Sequence, residues 1–359
     1  MTSVANVTIQ SSQVTADLTD FPLLVDLSDM PAGFWSTVAS SGGDIRVFKS
    51  DGTTELPREV VSIDTVANTG ELWVKYAGTL SGSIDTTIQI HADGVSSDYA
   101  VTATYGRNNV WSNYVAVYHG DSTDDATGKG GTLSATGTAS SVGSVTAKIG
   151  TAFDISGPSG FGTTTAGGAL VAGGASTVQT WLRKTASAIG GNDFSERLVQ
   201  YYNSAESDSH QTHVDREAKF FTATLGGNTQ TEAAGGVAIV LNEWASLHSV
   251  FDQAAGIVTH YRNGVQDTQI TGYTDTSEAN STIFIGAQPG AENGIKGQFD
   301  EARVSDTGLS STWVRTEYNN QSSPNTFYLA STPQLVSTPV NLSTTNLQAT
   351  SARLTWEQG

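Results

Sequence analysis

Cysteine is absent from the 359 residues, so neither a disulfide nor a thiolate metal site can form. Proline is scarce at 8 and methionine at 2, and charged residues make up only 14% of the chain. Basic side chains are the scarcer kind: 17 Lys and Arg face 35 Asp and Glu, for a net charge of −18. A surface so negative repels phosphate backbones and anionic headgroups, which argues against nucleic acid and against membrane surfaces as partners. No apolar run reaches the roughly 18 residues needed to cross a bilayer as a helix, so membrane insertion is not expected. The amino terminus, MTSVANVTIQ, has neither a basic n-region nor an apolar h-region. Reaching the outside is therefore expected to rely on a signal already trimmed or on another route, such as cell lysis.

What the chain has instead is glycine, 38 of it, set among Thr and Ser. β-Branched residues suit a pleated sheet and glycine supplies positive φ in tight turns. Residues 4–10, 21–27, 44–48, 71–76 and 86–91 alternate apolar and polar side chains as short, half-buried strands do. Asp51-Gly52 and Asp93-Gly94 mark turns, and residues 33–40 suggest one helical turn stopped by Gly42-Gly43. Beyond Val110, strands are expected at 114–119, 177–183, 197–202, 219–225, 237–240, 245–252, 257–262 and 282–285. Asn263-Gly264 is the clearest hairpin turn, and the run from Thr132 to Gly143 reads as a long surface loop. One helix, with Trp313, Val314 and Tyr318 facing inward, is expected near the end of this block. Many short strands with little helix mean an all-β sandwich or barrel, not a parallel α/β sheet.

These segments also carry a resemblance. Residues 6–94, with VTIQSSQVTADLTDFPLLVDLSD, GGDIRVFKSDGTTELPREV, TGELWVKY and TTIQIHADG, resemble the domain of unknown function numbered 2341. Residues 110–328, with YVAVYHGDSTDDATGKGGTLSATG, KIGTAFDISG, YRNG and GQFDEARVSDTGLSSTWVRTEYNNQSSPNTFY, resemble a laminin-G-like, concanavalin-A-like jelly roll. After Tyr328 the chain is rich in Ser, Thr and Pro, and Leu342 to Trp356 resembles the first two strands of a fibronectin type III module. The resemblance implies a small β-sandwich over 1–107, a jelly-roll sandwich over 108–330, and a linker with partial fibronectin-like strands over 331–359. Domains in this order occur in bacterial surface proteins and phage virion proteins.

Chemistry is less clearly written. Some glucanases on this jelly roll use Glu-x-Asp-x-x-Glu on one strand, which places both carboxylates on one face about 5 Å apart. That motif does not occur, and Glu292, Glu301 and Glu317 do not share a strand at even spacing. Enzymatic turnover is therefore not expected. In resembling sandwiches an Asp before the Gly-rich loop and the Asp opening the last strand approach each other. Asp125, the backbone around Gly130 and Asp300, with Asp121 and Asp124 nearby, thus form a candidate for structural Ca²⁺, which takes about six to eight oxygens. The competing reading is a solvated acidic loop and an Asp that caps a turn. His210-x-x-His213 reads as surface histidines, since odd spacing on a strand sends them to opposite faces.

Sugar binding needs exposed aromatic faces, for which Tyr201, Tyr202, Tyr261 and Tyr273 are the candidates. Trp181, Trp244 and Trp313 fit core positions better. Three functions follow in order of preference. The first is a non-catalytic structural and adhesion protein on a virion surface or outside the cell, with neighbouring virion or surface proteins, cell-surface polysaccharide or further copies of itself as partners. The second is a pair of carbohydrate-binding modules from an exported bacterial protein. The third is a glycosidase or lyase with an unfamiliar site.

Overall fold

The strand Ser3–Ile9 alternates buried Ala5, Val7 and Ile9 with partly exposed neighbours, and it has a ladder on each side. The computed structural model to which it belongs describes residues 2–136, 140–156, 160–163, 175–186, 196–203, 209–214, 220–224, 230–231, 236–272, 281–287 and 294–332, with 197, 201–203, 209–214, 220–224, 230–231 and 281 in backbone only. Among these residues no helix is long and apolar enough to cross a membrane.

The first sandwich pairs a five-stranded sheet with a three-stranded one. The larger sheet runs in the order Tyr328–Ser331, Ser3–Ile9, Thr86–Ala92, Arg46–Lys49, Glu55–Leu56; the smaller runs Leu18–Asp26, Thr69–Leu80, Arg58–Asp64. Their inner faces share a core that includes Val7, Phe21, Leu23, Val47, Leu72, Ile88 and Ile90. The expected helical turn is Ala32–Trp35, held by Phe34 in that core. Two strands here, Glu55–Leu56 and Arg58–Asp64, had no counterpart in the sequence reading. The edge strand of the larger sheet comes from the far end of the chain. Tyr328–Ser331, assigned by sequence mainly to the second domain, is antiparallel to Ser3–Ile9, and Phe327 and Tyr328 are buried in the first core.

The second sandwich has two larger sheets. One contains Ser140–Thr146, Thr151–Ile155, Gly297–Ser305, Ala175–Lys184, Trp244–Asp252, Ile257–Arg262 and Val265–Thr271 in that order, with Tyr114–Tyr118 also paired to Gly297–Ser305. The other runs Gln230–Thr231, Phe220–Thr224, Ser209–Val214, Glu196–Asn203, Ser281–Ile285, Gly160–Thr163, Leu133–Thr136. Between them lie Phe153, Phe161, Leu182, Leu247, Phe251, Ile283, Ile285 and Phe299. Two expectations are corrected. The run from 132 to 143 is not one loop: Leu133–Thr136 and the start of Ser140–Thr146 are strands, anchored by the buried Leu133. Residues 237–240 form no strand; Ile239 is buried between exposed Val237 and Val240, so their alternation serves a connecting segment.

The Asn263-Gly264 turn is as expected, with φ of 51° and 73°. A Cβ on Gly264 would stand 2.8 Å from Tyr318 Cβ, so the turn also needs glycine to approach the helix Ser311–Ser322. That helix is capped by Ser310, whose Oγ accepts from Trp313 N at 3.1 Å. It bridges the two sandwiches. Val314 packs on Tyr261 and Leu309 of the second, while Trp313 meets Phe21 of the first at 5.2 Å between ring centroids. Asn320 Oδ1 accepts from Leu24 N at 2.7 Å, and its Nδ2 donates to Leu24 O at 3.0 Å.

One core group makes stability depend on pH. His260 is fully buried, with Nδ1 3.0 Å from Ser249 Oγ, and burial pushes its imidazole down to about 3. The unfolded chain binds a proton near the ordinary value of about 6.5, whereas the folded chain does not until far lower. Stability is therefore complete above that value and falls as the pH drops, by at most about 1.4 kcal/mol per unit from this residue. Urea unfolding at pH 6.5 and pH 5 is expected to differ by up to about 2 kcal/mol more in the wild type than in His260→Gln. Equal slopes would disprove the assignment.

Candidate functional site

The strand Thr69–Leu80 carries Glu71-Leu72-Trp73, and all three side chains are buried. Strand alternation sends Leu72 into the first core and turns Glu71 and Trp73 the other way, where the second sandwich covers them. There Trp73 meets Trp111 at 5.2 Å, and Trp111 meets Tyr114 at 5.6 Å. The Arg303 guanidinium lies 4.2 Å from the Trp73 ring centroid and 4.6 Å from that of Trp111. This aromatic box is the joint between the sandwiches.

Inside the joint is a chain of buried ionisable groups. Glu59 and Glu71 come from the first sandwich, and His119, Asp300, Glu301, Arg303 and Glu317 from the second sandwich and its helix. His119 Nδ1 lies 2.7 Å from Glu301 Oε1 and 3.7 Å from Glu71 Oε1, and its Nε2 lies 3.2 Å from Glu59 Oε2. Trp73 Nε1 donates to Glu71 Oε1 at 2.7 Å and Trp111 Nε1 to Glu59 Oε2 at 2.5 Å. Arg303 donates Nε to Glu301 Oε2 at 3.0 Å, Nη2 to the same oxygen, and Nη1 to Glu317 Oε1 at 2.8 Å. Gln179 and Gln321 also donate to Glu317 Oε1, at 2.7 and 2.9 Å.

Local backbone explains how Asp300 and Glu301, neighbours on one strand, are both buried. The pairing of Gly297–Ser305 with Ala175–Lys184 slips between Gln179 and Trp181, and Glu301 has φ 51°. Such a bulge adds a residue to one strand and re-aims its side chain, here into the joint. The electrostatics follow from burial and proximity. Burial pushes Glu71 up to about 8, with Glu301 adding to the rise and His119 opposing it. Asp300 is raised well above the carboxylate range by burial and then by Glu301 and Glu71. Burial alone would lower His119 and Arg303, but Glu301 with Glu59 holds the first high and Glu301 with Glu317 the second. Burial would likewise raise Glu301, yet His119 and Arg303 bring it below its ordinary value.

Two clefts are lined in part by members of this cluster. The larger, about 540 Å³, is lined by Asp26, Asp29, Glu71, Lys148, Gln321 and Asn325 among others. The smaller, about 190 Å³, is lined by Arg58, Glu59, His119, Asp121 and Asp124 among others.

The sequence candidates are distributed differently from expectation. Asp125 accepts at Oδ1 from Val117 N and Thr127 N, and at Oδ2 from Thr127 Oγ1, Lys129 N and Gly130 N. Its carboxylate thus organises its own loop, and Gly130 turns an N–H, not a carbonyl, toward it. Asp121 and Asp124 are exposed on the smaller cleft. Asp300 belongs with Glu71, Glu301 and His119, and its Oδ2 accepts from Ile149 N at 2.8 Å. Tyr261 is 7% exposed and is packed under the helix with Leu309 and Val314, so it offers no ring to a sugar. Tyr201 and Tyr202 stand on a central strand opposite Ile283 and Thr282 on one side and His210 and Ser209 on the other. Tyr273, Glu292 and the segment from 333 onward, where fibronectin-like strands were expected, lie outside the described residues. His210 and His213 share the strand Ser209–Val214.

Glu59, Glu71, His119 and Arg303 were missed. The available signal was Glu71 at the head of the apolar run Leu72-Trp73-Val74, with a tryptophan two residues on.

Residues 158–335 match the family model described as the concanavalin A-like lectin/glucanases superfamily. This stretch is a domain of that superfamily. Among solved structures, domain 4 of AbnA, a GH43 extracellular arabinanase from Geobacillus stearothermophilus in complex with arabinotriose, is similar at 20% identity and a TM-score of 0.47, over 58% of this chain and 98% of that one. A heptameric SAP-like pentraxin from Limulus polyphemus is similar at 15% identity and a TM-score of 0.33, over 40% and 71%. The binding domain of botulinum neurotoxin DC in complex with SialylT is similar at 11% identity and a TM-score of 0.42, over 58% and 52%. No curated protein matches the chain. The lectin/glucanase-like sandwich therefore contributes its larger, helix-covered sheet to the joint, and the seven-stranded sheet lies on its other side.

Proposed function

We propose that the protein is a non-catalytic, surface-displayed adhesion and structural protein that binds glycans through its lectin/glucanase-like sandwich. The observation that carries this reading is how the buried carboxylates are used. Glu301 and Glu317 are both held by Arg303, and Glu59 and Glu71 accept from tryptophan N–H groups. Glycosidic cleavage instead calls for two carboxyls facing one sugar ring, about 5 Å apart or somewhat more. Here the acids join two domains. A tailed-phage virion, as a head decoration or tail component, is the setting we favour, and it rests on the resemblance of residues 6–94 and 110–328 to modules of such proteins. A module pair from an exported bacterial protein remains the alternative.

We place the glycan contacts on the seven-stranded sheet. The larger sheet is taken up on its outer side by the first sandwich and by the helix Ser311–Ser322, as the buried contacts of Gln179, Trp181 and Arg303 support. Tyr201 and Tyr202 are consecutive positions on the strand Glu196–Asn203 of that sheet. On a glycan array the full chain is expected to retain a defined set of bacterial surface polysaccharides. One of Tyr201→Ala and Tyr202→Ala should lose that binding by tenfold or more while the other chiefly lowers stability. No retained glycan would end the adhesion reading; new reducing ends or unsaturated products from a polysaccharide panel would establish an enzyme.

A further inference from the structure

We propose that Glu71, His119 and Glu301 bind a first-row divalent cation such as Zn²⁺ or Mn²⁺, with Asp300 as a further ligand, and that this ion clips the two sandwiches together. One donor atom from each of the three lies within 4.8 Å of the others, and all three residues are buried. A second observation is independent of that convergence. Asp300 is fully buried, and while Oδ2 is satisfied by Ile149 N, Oδ1 has no hydrogen-bond partner. A lone buried carboxylate oxygen is costly, and this one belongs to a side chain that interacts electrostatically with Glu301, Glu71 and His119.

The surrounding groups fit the same purpose. Metal-bound histidines usually give their second ring nitrogen to a carboxylate, and His119 Nε2 lies 3.2 Å from Glu59 Oε2. Glu301 keeps its far oxygen, Oε2, on Arg303, and Trp73 Nε1 orients Glu71. Charge points the same way. Glu59, Glu71, Asp300 and Glu301 are four buried carboxyls set against the cations Arg303 and His119. The donor set selects the metal. An imidazole nitrogen with carboxylates suits zinc and manganese, whereas calcium wants about six to eight oxygens. Two clefts border the buried group, one lined in part by Glu71 and the other in part by His119 and Glu59.

The test uses the full chain, stripped with EDTA and then given ZnCl₂ or MnCl₂ alone, with CaCl₂ as control. Bound metal is counted by elemental analysis after desalting, and thermal unfolding is followed in parallel. The expected result is one Zn²⁺ or Mn²⁺ per chain and a melting point raised by several degrees. Glu71→Gln, which keeps the shape and removes a ligand charge, should abolish both effects while retaining the wild-type circular dichroism spectrum. His119→Ala should do the same if it folds, and Asp125→Asn should leave the stoichiometry unchanged. Failure of the wild type to hold either metal, or retention of the same stoichiometry by Glu71→Gln (an ion held elsewhere, for instance by the histidines on Ser209–Val214), overturns the proposal. Binding of calcium alone overturns it as well.

Discussion

Arg303→Met is expected to lower the stability of the full chain by about 3–5 kcal/mol, the usual cost of stripping one partner from a buried ion pair. The guanidinium is wholly buried, donates to Glu301 and Glu317, and lies against the faces of Trp73 and Trp111. Methionine fills most of the volume but leaves two carboxylates facing a low-dielectric joint. Urea unfolding measures the loss, and a changed tryptophan emission reports that it occurs at the joint. The size of the effect comes from the uncompensated charges and not from the pair's own net value, which is modest once desolvation is counted. A triple variant therefore separates the two: Arg303→Met with Glu301→Gln and Glu317→Gln should recover a large part of the loss. If Arg303→Met costs under about 1 kcal/mol, as an exposed pair would, the joint is wet and the network does not hold the domains.

Many strands of both sandwiches were legible because a strand's alternation is a local property, though Glu55–Leu56 and Arg58–Asp64 were not. Asn263-Gly264 was read correctly since a hairpin of that kind requires two residues tolerant of positive φ. Trp244–Asp252 and Ile257–Arg262, on either side of the second core, were read nearly to their ends for the same reason. The Gly- and Ser-rich run after Thr132 misled because its strands take their stability from neighbours, Gly160–Thr163 and Thr151–Ile155, and not from their own composition.

The joint was illegible for a different reason. His119 and Glu301 are 182 positions apart, and His119 and Glu59 are 60 apart. Apart from the apolar neighbours of Glu71, nothing local distinguishes these acids from acids on a solvated strand face. Asp125 illustrates the converse. It sits in an acidic loop with the look of an ion site, yet it meets backbone and side-chain donors only two to eight residues away, a use that sequence spacing cannot separate from calcium binding.

Residues 1–107 produced alone are expected to aggregate or remain unfolded, although they contain nearly all the strands of the first sandwich. Three things are missing from that fragment. Phe327 and Tyr328 leave the core, and truncating one such buried aromatic already costs about 3–5 kcal/mol. Tyr328 Oη, which accepts from Asp26 N at 2.9 Å and reaches Asp29 Oδ2 at 2.9 Å, leaves Leu18–Asp26 without a brace. Ser3–Ile9 loses its partner Tyr328–Ser331 and becomes an edge with unpaired backbone groups and a run of β-branched residues, a template for association. A fragment ending at 331 should instead unfold cooperatively as a monomer. A synthetic peptide covering 308–331, added during refolding of 1–107, should restore solubility in proportion to its concentration, since it returns the helix with Trp313 and Asn320 as well as the strand. A monomeric, cooperatively unfolding 1–107 would show that the first sandwich is complete without the carboxyl-proximal strand. The buried aromatics and the four-residue ladder would then be a covering on a finished domain.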